Sequence, residues 1–203
     1  MIPELQNQLE QIADGLAGKS YAIIDHFLSD DEVNKIIQSD GFKNSKLHFK
    51  KAGIGQQQEK QVVESIRGDY IQWIDTQSPP AALKNYLMKL SELIQFINRS
   101  LFLSLKDAEV HMTAYPVGAF YRKHIDQFKH DDHRKLSIIC YLNPEWKAEQ
   151  GGQLRMHLPD GPLDVFPLAG RLVCFRSDLV EHEVLPASRE RFSLTGWLVD
   201  KSF

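Results

Sequence analysis

From Ala108 onward the chain consists of short apolar segments separated by turn-forming residues. This pattern constrains the fold more than any other feature of the sequence. Asn143-Pro144, Gly151-Gly152 and Asp160-Gly161-Pro162 are among the breakers. Short segments bounded by such residues are typical of β-strands. The predicted strands are 108–115, 119–125, 136–142, 153–158, 163–166, 171–176, 181–185 and 191–199. Strands at this spacing favour a sandwich or barrel, and we predict a double-stranded β-helix, or jelly roll.

The first half of the chain differs, because its apolar residues recur at helical spacing. We predict helices over 3–18, from the capping box at Ser29 through Ile37, and from Pro79-Pro80 through 97, with a short strand at 21–24. The third helix carries an apolar stripe typical of a helix packed against a sheet, formed by Leu83, Leu87, Leu90, Ile94 and Ile97. The chain is therefore predicted to be mainly β, with N-terminal helices packed on the outside of the jelly-roll core.

The charge balance and hydropathy disfavour several functions. The net charge is only -3, with 24 basic and 27 acidic residues. The chain therefore lacks the basic excess that would indicate a nucleic-acid partner. No apolar run approaches the roughly 20 residues needed to span a bilayer, and the polar segment after Met1 does not predict a secretory signal. Cys140 and Cys174 lie in apolar strand-like runs and are interpreted as reduced core thiols. We predict a cytoplasmic protein without membrane contact.

His124 and Asp126 are two residues apart at the end of a predicted strand, so on an extended segment both side chains point to the same face. His182, on a later predicted strand, would supply a third donor. Two imidazoles and a carboxylate form the facial triad that holds non-haem Fe(II), although Mn, Co, Ni and Zn accept the same donors. Histidine is common on protein surfaces, and four other histidines are interpreted as surface bystanders: His111, His130, His133 and His157.

Arg191 follows His182 across a turn and begins an otherwise apolar strand. An unpaired charge in such a strand would be costly, whereas a guanidinium can hold a carboxylate through two hydrogen bonds. We therefore predict that Arg191 anchors an acidic co-substrate, such as an α-keto acid, beside the metal. The alternative is a solvated charge on the strand.

A polar segment with two glycines, Gly53 and Gly55, lies between the predicted helices at 50–62. Glycine-containing polar segments are typical of loops. The pattern leaves two interpretations open, a solvated connection or a lid over a site.

The chain resembles the 2-oxoglutarate and Fe(II)-dependent prolyl 4-hydroxylases, in particular the oxygen-sensing (hypoxia-inducible factor) prolyl hydroxylases of animals and their bacterial relatives. The resemblance covers roughly residues 45 to 200 in order. The matching stretches are Arg67-Gly68-Asp69, Trp73-Ile74, Ala114-Tyr115-Pro116, Tyr121 to Asp126, Tyr141-Leu142-Asn143, Gly151-Gly152, Leu154-Arg155, His182-Glu183-Val184, Pro186-Ala187, Arg191, Thr195 and Trp197.

The resemblance implies one dioxygenase domain over 1–203, with a helical support and lid region at 1–107 and a jelly-roll catalytic core at 108–200. It implies that His124, Asp126 and His182 bind iron. The remaining implied roles are 2-oxoglutarate binding by Arg191, Tyr141, Tyr115 and Thr195, a place near the iron for Trp197, a substrate groove at Arg67, Asp69 and Arg134, and a lid at Gly53 and Gly55.

The implied cofactor set is Fe(II), 2-oxoglutarate as co-substrate, O2, and ascorbate as reductant. The implied activity is hydroxylation of a prolyl residue in a protein, with succinate and CO2 as co-products. A translation factor such as elongation factor Tu is the suggested substrate. The alternatives are an oxygenase acting on a free amino acid, another protein side chain or nucleic acid, and a non-catalytic 2-oxoglutarate or metal-sensing module.

Overall fold

The computed structural model describes residues 3–44, 48–53, 65–127 and 130–201. The helices are α1 (Pro3–Lys19), α2 (Asp30–Ile37), α3 (Asp40–Lys43) and α4 (Lys84–Leu101), and short 3-10 turns occupy Ala81–Leu83 and Ala148–Gln150. The strands are β1 (Tyr21–Ile24), β2 (Lys50–Lys51), β3 (Tyr70–Trp73), β4 (Asp107–Tyr115), β5 (Tyr121–His124), β6 (Arg134–Tyr141), β7 (Leu154–Leu158), β8 (Gly161–Val165), β9 (Leu172–Arg176), β10 (Glu181–Val184) and β11 (Arg191–Val199).

The strands form two antiparallel sheets, which confirms the predicted double-sheet core. The larger sheet has seven strands in the order β1-β9-β6-β11-β4-β3-β2, and the smaller has four in the order β5-β10-β7-β8. All eight strands predicted after residue 107 are present, with shifts of a few residues at their ends. The sequence did not predict β2 and β3, which extend the larger sheet beyond β4.

The helices cover the outer face of the larger sheet, as predicted. The capping box at the start of α2 is formed, because the Ser29 hydroxyl accepts from the Glu32 backbone N–H and the Glu32 carboxylate accepts from the Ser29 N–H. In α4 the fully buried stripe passes through Tyr86 and Leu93 rather than Leu87 and Ile94, which are partly buried. Among the helices described, none is long and apolar enough to cross a membrane.

Two apolar cores result from the alternation of side chains along the strands. Leu194 and Leu198 on β11 join the core beneath the helices. Tyr141 and Phe175 join the smaller core between the two sheets. Strand residues alternate between faces, so the odd-numbered residues of β11 point away from the helices. The predicted burial of the cysteines is also confirmed, with Cys140 and Cys174 reduced inside the helix-side core.

Gly196 allows β11 to lie against β4 at close range. A Cβ at this position would stand 2.0 Å from the backbone oxygen of Glu109 and 2.9 Å from Cα of Val110. We expect Gly196→Ala to lower the free energy of unfolding by about 1–3 kcal/mol or more, because only backbone displacement can relieve the overlap. Urea denaturation measures the change. Gly18→Ala is the control, since nothing lies within 4 Å of its Cβ, and equal midpoints for both variants would contradict the expectation.

Candidate metal centre and its pocket

The pairing of β5 with β10 brings the three predicted metal ligands together. His182 lies directly opposite His124 in the antiparallel register, and Asp126 follows β5 by two residues. His124 Nε2 is 3.5 Å from Asp126 Oδ1, and His182 Nε2 is 3.7 Å from Asp126 Oδ2. One donor atom from each residue falls within 4.8 Å of the others, which is close enough for one ion to bind all three.

Both imidazoles are held by the nitrogen that points away from Asp126. His124 Nδ1 lies 2.6 Å from the carbonyl oxygen of Arg122, and His182 Nδ1 lies 3.0 Å from that of Val180. A ring nitrogen that donates to a carbonyl leaves the other nitrogen with a free lone pair. The Nε2 atoms are therefore presented as metal ligands, in the way that second-sphere hydrogen bonds usually orient histidine.

Burial and neighbouring charge set the protonation states that metal binding requires. Burial lowers the pKa of His182, which favours the neutral imidazole. For Asp126, burial raises the pKa, but the two imidazoles and the Ser137 hydroxyl outweigh it, and the pKa lies far below its usual range. A neutral imidazole and an ionised carboxylate are the forms that bind a divalent metal.

Arg191 is buried beside this cluster without a carboxylate partner in the described chain. Its side chain is 2% exposed, and Nε donates to the carbonyl oxygen of Gly152 at 3.0 Å. Its Nη2 and the hydroxyl of Tyr141 are both buried and have no hydrogen-bond partner among the residues described. The guanidinium lies 4.9 Å from the Tyr141 ring and 5.1 Å from the Tyr115 ring. A buried cation with spare donors fits the far carboxylate of 2-oxoglutarate, and the burial contradicts the solvated-charge alternative.

The ligand cluster and Arg191 face one cavity of ≈ 560 Å³. Tyr115, Thr195 and Trp197 line it, whereas Tyr141 lies behind its wall, against Arg191. The predicted residues that line this cavity are His124, Asp126, His182, Arg191, Tyr115, Thr195, Trp197, Arg67, Asp69, Arg134 and Gly53.

The predicted groove residues form two ion pairs in the cavity wall. Arg67 binds Asp69 through Nε at 2.7 Å and Nη2 at 2.6 Å, and its guanidinium lies over the Tyr121 ring. Burial lowers the pKa of Arg67, but the Asp69 carboxylate outweighs this effect and the pKa is raised. Because Asp69 is fully buried, its contact is with Arg67 rather than with solvent. Arg134 binds Glu109 at 3.3 Å and stacks on Trp197, 3.4 Å from the ring centroid.

The predicted lid segment is described only in part. The carbonyl oxygen of Gly53 accepts from Arg67 Nη1 at 3.3 Å, which places this end of the segment at the cavity. Gly55 and most of 50–62 lie outside the described residues.

Two of the supposed surface histidines line the cavity, so their interpretation as surface residues was wrong. His111 is 3% exposed and His133 is 6% exposed. His111 packs against both Trp73 and Trp197, with ring centroids 4.9 and 5.7 Å away, and the two tryptophan rings are 6.4 Å apart. The alternation along β4 could have revealed this position, because His111 shares a strand face with Tyr115.

The chain is similar to known 2OG-Fe(II) oxygenases and prolyl hydroxylases in sequence and in structure. Residues 110–199 match the family model described as the 2OG-Fe(II) oxygenase superfamily. A prolyl-4-hydroxylase structure from Pseudomonas putida is 43% identical, with a TM-score of 0.85, over 96% of this chain and 100% of that chain. A prolyl hydroxylase from Trichoplax adhaerens, solved with a hypoxia inducible factor peptide fragment, is 27% identical with a TM-score of 0.86, over 97% of this chain and 91% of its own.

Curated animal proteins are similar over nearly the whole chain. Egl nine homolog 1 of Homo sapiens is 28% identical over 98% of this chain, and the hypoxia-inducible factor prolyl hydroxylase of Caenorhabditis elegans is 29% identical over 100% of it. The chain spans only 48% and 30% of these two proteins, respectively.

Proposed function

The chain belongs to the prolyl 4-hydroxylase family within the 2OG-Fe(II) oxygenase superfamily, and we propose that it hydroxylates a prolyl residue in a protein substrate. One observation carries the proposal. A three-donor metal cluster and a buried arginine without an anionic partner in the described chain face the same cavity. We take residues 1–203 as one dioxygenase domain that acts in the cytoplasm.

In this proposal His124, Asp126 and His182 hold Fe(II), and Arg191 binds the far carboxylate of 2-oxoglutarate. The unpartnered Tyr141 hydroxyl donates a further hydrogen bond to the same carboxylate. Iron and 2-oxoglutarate, when bound, would supply the oxidation: one atom of O2 would enter succinate, the other would become the hydroxyl oxygen on the proline ring, and CO2 would be released. Ascorbate serves as the reductant that maintains Fe(II).

The protein's own task is to orient the reactants and keep water away from them. In this proposal Tyr115 and Thr195, which line the cavity, would contact 2-oxoglutarate, and Trp197 would lie near the iron. Arg67 and Arg134 form ion pairs with their acidic partners at the cavity, where they would donate to the backbone of a bound peptide. Asp69 supports the groove by fixing Arg67, and closure of the segment containing Gly53 and Gly55 would shield the reaction from solvent.

A protein is the favoured substrate because the Trichoplax relative was solved with a peptide fragment. Among cellular proteins, the resemblance to bacterial relatives makes elongation factor Tu the first candidate. Its proposed product carries one additional oxygen on a single proline.

Mass spectrometry tests the proposal directly. We expect the purified protein, with Fe(II), 2-oxoglutarate and ascorbate, to add one oxygen to a proline of elongation factor Tu or of another protein in a cell lysate. Reactions without 2-oxoglutarate are the control. Succinate release that rises with free proline or with nucleic acid, while no protein gains oxygen, would contradict a protein substrate.

A further inference from the structure

A pair of buried serines stands behind the candidate ligand Asp126. Ser137 Oγ lies 2.6 Å from Asp126 Oδ2, and Ser177 Oγ lies 2.9 Å from Ser137 Oγ. Ser137 is 1% exposed and Ser177 is fully buried. The hydroxyls therefore connect the Asp126 carboxylate to the interior of the protein rather than to solvent.

The direction of these hydrogen bonds follows from the chemistry of the groups. An ionised carboxylate only accepts, so Ser137 must donate its single hydroxyl proton to Asp126. Ser137 can then only accept from Ser177, which becomes the donor of the second bond. The relay runs from Ser177 through Ser137 to Oδ2, and no hydroxyl in it is free to rotate.

The backbone next to Asp126 is also hydrogen-bonded to Ser177. The N–H of Gln127 donates to the carbonyl oxygen of Ser177 at 3.1 Å. The N–H of Ser177 in turn donates to the carbonyl oxygen of Lys135 at 3.1 Å. The Gln127 side chain also donates to the carbonyl oxygens of Asp132 and Arg134, both at 3.2 Å. Ser137 belongs to the larger sheet, whereas Asp126 follows a strand of the smaller one. These bonds therefore fix the carboxylate across the gap between the sheets.

We infer that Ser137 and Ser177 are positioning residues that hold Oδ2 of Asp126 and leave Oδ1 as the oxygen available to the metal. A carboxylate held through one oxygen would bind a metal through the other oxygen alone, which would leave room at the metal for other ligands. This inference rests on the metal site proposed above. Partners of this kind typically change metal affinity by about 10–100-fold when removed.

Mn(II) titration of the purified protein tests the inference without turnover. We expect Ser137→Ala to weaken Mn(II) binding by about 10-fold or more. Ser177→Ala should weaken it less, because it removes only the restraint on Ser137, and Ser137→Thr should restore most of the affinity. Ser193→Ala is the matched control, since Ser193 is a fully buried hydroxyl paired with Thr195 and not with Asp126.

The visible absorption spectrum of bound Co(II) supplies a second measurement, because its intensity reports coordination number. The Ser137→Ala spectrum should change, since Asp126 becomes free to bind through both oxygens, and Ser193→Ala should leave it unchanged. Wild-type affinity and an unchanged spectrum in Ser137→Ala would overturn the inference. If Ser137→Ala does not fold, wild-type affinity in Ser177→Ala would overturn it instead. Failure of the wild-type protein to bind Mn(II) would refute the proposed metal site itself.

Discussion

Asp126→Ala is expected to reduce succinate formation from 2-oxoglutarate to the background rate. Asp126 supplies the anionic donor of the candidate site, and its removal leaves only the two imidazoles of the cluster to bind a divalent ion. The variant should also lose Mn(II) binding. Circular dichroism should show a folded protein, since the neighbouring hydroxyl of Ser137 retains Ser177 as a partner.

Asp132→Ala is the control for this result. Asp132 lies in the same loop, but its side chain is 80% exposed and forms an ion pair with Lys135. Succinate release should therefore stay near the wild-type rate. Turnover in Asp126→Ala comparable with that of Asp132→Ala would remove the carboxylate from the proposed site.

Arg191→Met is expected to raise the apparent KM for 2-oxoglutarate on the order of 100-fold. Truncating one partner of a buried, hydrogen-bonded charge pair costs about 2–5 kcal/mol, and each 1.4 kcal/mol corresponds to about tenfold in affinity. Without the co-substrate, the same variant should unfold at an equal or higher urea concentration, because it replaces an unpaired buried cation with an apolar side chain. Opposite effects on affinity and stability distinguish an anion-binding residue from a structural one.

Arg189→Met separates this effect from a general loss of positive charge. Arg189 precedes the same strand but packs over the Trp146 ring, 5.0 Å from its centroid, and does not line the cavity. Its apparent KM should match that of the wild type. A similar KM for both variants would show that Arg191 does not bind 2-oxoglutarate.

The strands of the core could be predicted because their information is local. Turn residues such as Gly151-Gly152 bound each strand, and the Ser29 capping box marks the start of α2. The short strand β3 was not predicted because it is stabilised by pairing with β4. Ile71 pairs with Thr113, 42 residues further along the chain, and a local pattern does not contain that partner. Sequence separation thus limited what the pattern could predict.

Some residues of the candidate site could also be predicted from local patterns, and others could not. The spacing of His124 and Asp126 predicted that both side chains point to the same side, and the apolar surroundings of Arg191 predicted its burial. His111 and His133 were wrongly interpreted as surface residues, although the alternation that places His111 on the same strand face as Tyr115 was available for His111. Burial of a polar residue depends on the opposing sheet, which a local window does not contain.

The sequence by itself determined the donor types, the strand pattern and the family resemblance, because residue identity and local periodicity are properties of the chain alone. Only the tertiary structure decided that His182 lies opposite His124, that Tyr141 stands behind Arg191, and that two serine hydroxyls reach Asp126 from the other sheet. The physical reason is that hydrogen bonds and charge pairs act over a few ångströms. Packing of the two sheets is what brings residues far apart in the chain within that range.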